Sequence, residues 1–174
     1  MSVVKKYHWS VRMMHGLVGL LTIGMLCMGY WMIQMDSSSQ KWQYYGLHKS
    51  FGVIVFLLLF IRISARAITD YPKSFYKVDS FKNIAEKLLY FIMYVTMFLM
   101  PFSGYLMSNA AGIQVVFFGI LMPEITTRNI ELAKIFHTTH VYTSYMLIAL
   151  ICMHILLIIY RTVAKKHNIL QRMI

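Results

Sequence analysis

Apolar residues run almost unbroken through four stretches of this chain, residues 11–33, 47–68, 84–107 and 138–160, and polar residues gather between them. Each stretch meets the roughly 20 residues that a helix needs to cross a bilayer. The second and fourth are nearly free of interruption. The third carries Pro101, which lacks the N–H that would close a helical bond and so frees a carbonyl, with Gly104 one turn later. The first is too long for a signal peptide, and no small-residue cleavage site follows it. Four antiparallel spans with short connections predict an all-α, integral membrane four-helix bundle, one transmembrane domain over residues 1–174.

The connections carry their own signals. Residues 34–46 hold a serine run and Asp36, and residues 69–83 hold Pro72 among alternating charges, too polar to cross. Residues 108–137 include a mostly apolar piece, 113–122, too short to span and suited to an interfacial or re-entrant lid.

Composition agrees with the pattern: 59% of residues are hydrophobic and 13% charged, against roughly 45–50% and about 25% in soluble domains. The net charge of +11 invites a nucleic-acid reading, but its distribution argues for topology. Lys5, Lys6 and Arg12 lie at the N-terminal edge. Arg62, Arg66, Lys73, Lys77, Lys82 and Lys87 flank the middle connection, and Arg161, Lys165, Lys166 and Arg172 follow the last span. Of 17 basic residues, that leaves Lys41, Lys49, Arg128 and Lys134 for the other face. The positive-inside rule then places both termini and the middle loop in the cytoplasm, with the excess charge attracted to anionic lipid rather than to nucleic acid.

Ionisable side chains are costly within a bilayer, so the histidines inside the spans stand out. His140 and His154 are fourteen residues apart, about 40° around a helix and roughly 21 Å along it. They share a face and sit near opposite membrane surfaces. His48, at the outer start of the second span, matches His140 in depth, and His15, at the inner start of the first, matches His154. Two depth-matched pairs are what two b-type haems with bis-histidine iron would require, a ligation that closes the iron and suits electron transfer. A lone intramembrane histidine would read as a helix–helix hydrogen-bond partner or a proton relay. Cys27 and Cys152 sit in separate spans outside any C-x-x-C-H motif, so they read as inert packing residues, and haem would be held by ligation and burial alone.

Other residues take meaning from the pairs. His137 competes with His140 but turns about 100° off the face shared with His154, which leaves it a supporting or proton-handling role. His8 and His167 lie in polar flanks. Arg12, Arg62 and Arg66 read as cytoplasmic anchors or as partners for a haem propionate. Gly52 and Gly104 read as room for a flat macrocycle or as plain helix contacts.

With these residues the chain resembles the bacterial cytochrome b561 family over nearly its whole length. The likeness rests on an early histidine in the first span (Val11-Arg12-Met13-Met14-His15), on His48-Lys49-Ser50-Phe51-Gly52, and on the basic exit Phe60-Ile61-Arg62-Ile63-Ser64-Ala65-Arg66. It continues through Pro101 and Gly104, the step from His140 to His154, and the tail Asn168-Ile169-Leu170-Gln171-Arg172-Met173. The resemblance implies a multi-pass protein of the bacterial inner membrane carrying two haem b, ligated by His15, His48, His140 and His154. It also implies quinone-linked electron transfer, with members that oxidise superoxide and reduce ubiquinone. The chain departs from the family where a histidine pair often follows the last ligand, having Arg161 and Thr162, and where an acidic tail residue is common, having His167.

The expected function is therefore an oxidoreductase-type cytochrome passing electrons to the quinone pool, with superoxide as a donor at the outer face. The competing readings are a non-catalytic membrane anchor and conduit for a dehydrogenase or hydrogenase, and a haem-free, proton-coupled transporter.

Overall fold

A computed structural model of the chain describes residues 6–70, 72, 81–164 and 170–173. Lys5, Lys73, Lys77, Lys165, Lys166 and His167 lie outside the described residues, as does most of the middle connection. Four helices dominate: α1 (Trp9–Gln34), α2 (Ser39–Ile68), α3 (Phe81–Ala110) and α4 (Ile130–Val163). All are long and apolar enough to cross a membrane, and together they form an all-α four-helix membrane bundle.

The helices outrun the apolar stretches, and local chemistry shows why. Ser38 caps α2 by accepting the Lys41 N–H at 3.2 Å, so residues 39–45, expected as connection, are already helical. Asn129 caps α4 in the same way through the Leu132 N–H at 3.1 Å, and the helix starts eight residues before the apolar run. His8 does this for α1, its Nδ1 accepting from Ser10 N–H. Pro101 does not stop α3, which continues to Ala110.

Within residues 113–122, expected as an interfacial or re-entrant lid, the chain forms a minimal hairpin, β1 (Val116–Phe117) against β2 (Ile120–Leu121). Phe118 (φ 45°) and Gly119 (φ 96°) occupy its turn. Two adjacent residues with positive φ make the tight turn that matches strand twist, and glycine takes that backbone without strain. The hairpin seats on α2 through Ser50, whose hydroxyl donates to the Val116 carbonyl at 3.0 Å and accepts from the Phe118 N–H at 3.2 Å. Phe51 and Phe118 meet edge to face beside this tie.

Helix packing follows chain order, α1 on α2, α2 on α3 and α3 on α4, while the α4 backbone stays back from α1 and α2. One buried residue per helix, Val18, Leu59, Met97 and Leu147, forms the central core. It divides the interior into a hairpin end and a terminal end, where Tyr7 N–H donates to the Arg172 carbonyl at 3.0 Å. Cys27 and Cys152, expected to pack, are free thiols on the exposed surface.

Candidate functional site

Each end of the interior contains one histidine pair. At the terminal end, His15 of α1 faces His154 of α4 with ring centres 6.2 Å apart and planes at 76°. At the hairpin end, His48 of α2 faces His140 of α4 at 6.4 Å and 79°. All four rings are half-buried. The rings bridge the space across which α4 makes little backbone contact with α1 and α2.

The spacing discriminates between readings. Hydrogen-bonded imidazoles approach much closer, and among the described residues no hydrogen bond joins the two rings of either pair. Two iron–nitrogen bonds of about 2 Å, with about 1.15 Å from each nitrogen to its ring centre, require ring centres about 6.3 Å apart. Among the described residues no group of three or more His, Cys, Asp or Glu side chains converges. Each pair thus offers two protein ligands only, which suits a metal whose remaining positions are filled by a macrocycle. The residues present fit a haem at each end.

Each ring is held by local structure. His140 lies in a notch in α3. Its Nδ1 donates to the Met100 carbonyl at 2.8 Å, fixing the tautomer that leaves Nε2 free for a metal. The notch exists because Gly104 has no side chain: a Cβ there would stand 2.8 Å from His140 Cε1 and 3.0 Å from its Nδ1. Gly104 therefore admits the His140 ring itself. Gly52, by contrast, faces the methyl of Met25 at 3.8 Å and is a plain helix contact. Gly29 of α1 lies beside His48, where an added Cβ would meet Cε1 at 3.6 Å.

At the terminal end, Arg62 reaches across from α2. Its guanidinium lies 2.9 Å from His15 Nδ1 and donates to the His15 carbonyl at 3.4 Å and to the Tyr94 hydroxyl at 3.2 Å. Tyr90 sets its ring edge against His154 at 5.8 Å and donates its hydroxyl to Glu86 at 3.1 Å. Glu86 in turn pairs with Arg161, the two side chains only 11% and 7% exposed. Nδ1 of His154 and of His48 have no hydrogen-bond partner among the described residues.

The remaining sequence candidates lie apart from the rings or beside them in other roles. His137 is exposed and lines, with Lys134, Met107 and Ala133, an open groove between α3 and α4. Arg66 stacks over Tyr7 at 4.8 Å. Arg12 is half-buried one turn before His15, its Nε without a partner among the described residues. The family model described as prokaryotic cytochrome b561 matches residues 6–174. The chain belongs to the prokaryotic cytochrome b561 family. It is also similar to cytochrome b561 homolog 2 of Escherichia coli strain K12, 26% identical over 163 residues, covering 92% of this chain and 86% of that protein. Membership makes it a membrane cytochrome of the electron-transfer kind, in a family that binds b-type haem.

The cytochrome b561 frame gives the Glu86–Arg161 pair a structural consequence. Removing one member of a buried ion pair leaves an uncompensated charge and costs about 3–5 kcal/mol, whereas an apolar replacement of both is far milder. Glu86→Leu is expected to lower the thermal midpoint in detergent sharply, and the double change Glu86→Leu with Arg161→Leu to recover most of it. A double-variant loss equal to the sum of the Glu86→Leu and Arg161→Leu losses would show that the pair contributes nothing as a pair.

Proposed function

We propose that this cytochrome carries two b-type haems, one ligated by His15 and His154 and one by His48 and His140, and that it transfers electrons to the quinone pool. The observation that carries this reading is the pair of ring separations, 6.2 and 6.4 Å, at the two ends of one bundle. A haem with both axial positions taken by histidine supplies reversible one-electron transfer with no open coordination site. The protein's part is to fix four imidazoles at that spacing, exclude water with the Val18–Leu59–Met97–Leu147 layer, and cover the hairpin-end site.

The basic distribution supports an inner-membrane orientation with both termini and the middle loop cytoplasmic, which puts the hairpin end outside. Superoxide is the donor this reading assigns to that end, and ubiquinone the acceptor. Two superoxide ions would each lose one electron to become oxygen, while one quinone takes both electrons and two protons to become quinol. Lys134 is offset by Glu131 at 2.9 Å, so Lys49 and Arg128 are the cations that would attract the anion. The attraction is modest, and salt weakens it further.

The experiment is stopped-flow reduction of the oxidised, lipid-reconstituted protein by a superoxide pulse, with and without ubiquinone. Rapid appearance of the reduced haem band, followed by reoxidation only when quinone is present, is the expected result. Reduction no faster than in a superoxide-dismutase control would remove superoxide as donor while leaving the electron-transfer role standing.

A further inference from the structure

We propose that Arg62 sets the two haem sites apart in reduction potential, making the His15–His154 site the stronger electron acceptor. This rests on the ligand assignment above and adds to it a residue that orders the two sites.

The two ends differ in what meets the outer nitrogen of a ligand ring. At the hairpin end, His140 Nδ1 donates to the neutral carbonyl of Met100 at 2.8 Å. Such a bond draws the proton outward, makes the imidazole a stronger donor to iron, and so favours the ferric state. At the terminal end, the corresponding nitrogen of His15 lies 2.9 Å from the Arg62 guanidinium. An arginine cannot be deprotonated in a protein, so a permanent positive charge stands beside this ring. A fixed cation disfavours ferric iron relative to ferrous, and low local polarity strengthens the effect.

Arg62 is held in this position. Beside the His15 ring it donates to the His15 carbonyl and the Tyr94 hydroxyl, and its guanidinium carbon lies 5.6 Å from the Tyr94 ring centre. An Nε2 that binds iron leaves the proton on Nδ1, so Arg62 then stays beside the ring through the His15 carbonyl and the Tyr94 hydroxyl. Among the described residues, the nearby carboxylate of Glu86 does not undo the effect. Glu86 and Arg161 form an ion pair, and Arg66 stacks on Tyr7. Arg12 adds charge of the same sign. At the hairpin end, Lys49 follows His48 in sequence but lies about 100° around the helix from it. No hydrogen bond joins it to either ring among the described residues.

Potentiometric titration of the haem bands in nanodiscs tests the proposal on the wild type, Arg62→Gln, Arg62→Lys and His48→Ala. The wild type should show two waves. Arg62→Gln should move only the higher wave, downward, by about tenfold in the oxidised-to-reduced ratio at fixed potential, which is about 59 mV for one electron. Arg62→Lys, which keeps the charge, should leave that wave within about threefold of its place. His48→Ala, which removes the hairpin-end site, should leave the higher wave, and this arm stands even if Arg62→Gln binds haem poorly. An unmoved or raised wave in Arg62→Gln, both waves moving together, or survival of the lower wave in His48→Ala would overturn the proposal. Haem content measured on the same samples separates the two levels of inference. Fewer than two haems in the wild type overturns the ligand assignment and this proposal with it, whereas two haems with an unmoved wave overturns this proposal alone.

Discussion

Replacing His154 with alanine is expected to halve the low-spin b-type absorbance per chain, leaving the haem of the other pair in place. His15→Ala should do the same, because in the proposed assignment each ring of the pair, 6.2 Å apart, supplies one of the two protein ligands at its end. His48→Ala and His140→Ala should each remove the other half. The two sites are separated by the Val18–Leu59–Met97–Leu147 layer, so loss at one end should not propagate to the other. His137→Ala should leave both haems, since its side chain is exposed and His140 is the ring that faces His48. Pyridine haemochrome assay of each purified variant, against protein concentration, reads the outcome. A His140 variant with a full spectrum, or a His137 variant with half of one, would reverse the choice between them.

Gly104→Val is expected to have nearly the same effect as losing His140, although residue 104 binds nothing. Even a single Cβ would stand 2.8 Å from His140 Cε1, well inside contact distance, and valine adds two methyl groups beyond it. The ring must leave its notch and give up the 2.8 Å bond to the Met100 carbonyl. Overpacking of this kind costs about 1–3 kcal/mol, and the displaced imidazole no longer faces His48 at the spacing an iron needs. The expected result is one haem per chain, with the hairpin-end haem absent. Gly52→Ala is the control: its added methyl would meet Met25 at 3.8 Å, ordinary contact, and both haems should remain. Equal tolerance of both changes would mean that the notch does not hold the ring.

The bundle was legible because a helix that crosses a membrane must be apolar for about 20 residues, and this chain marks four such runs with charge at their ends. The polar first turns of α2 and α4 were not legible from hydropathy. Their signal is the caps, Ser38 and Asn129, which satisfy N–H groups that would otherwise lack a partner. The hairpin was hidden for a different reason. Strands of two residues have no period to detect, and Gly119 was the one sign of a turn.

The geometry of the histidine pairs followed from helical arithmetic, yet the same arithmetic was available for Arg62. It lies fourteen residues after His48, on the same face of α2 and at the depth of His15. Its place among the basic residues at a span end pointed instead to topology or a propionate, and the structure puts it on the His15 ring. Arg161, seven residues after His154, shares that ring's face of α4 in the same way, and Glu86 and Tyr90 are an i, i+4 pair on α3. No sequence pattern links Gly104 to His140. That contact depends on how α3 packs against α4.

The most direct test of the account is the haem content of the wild-type protein, purified in detergent after haem-sufficient expression. A dithionite-reduced minus oxidised spectrum with pyridine haemochrome quantitation should give two b-type haems per chain, both low-spin. One haem per chain would mean that one of the two histidine pairs is not a ligand pair, and a colourless protein would contradict the cytochrome account altogether.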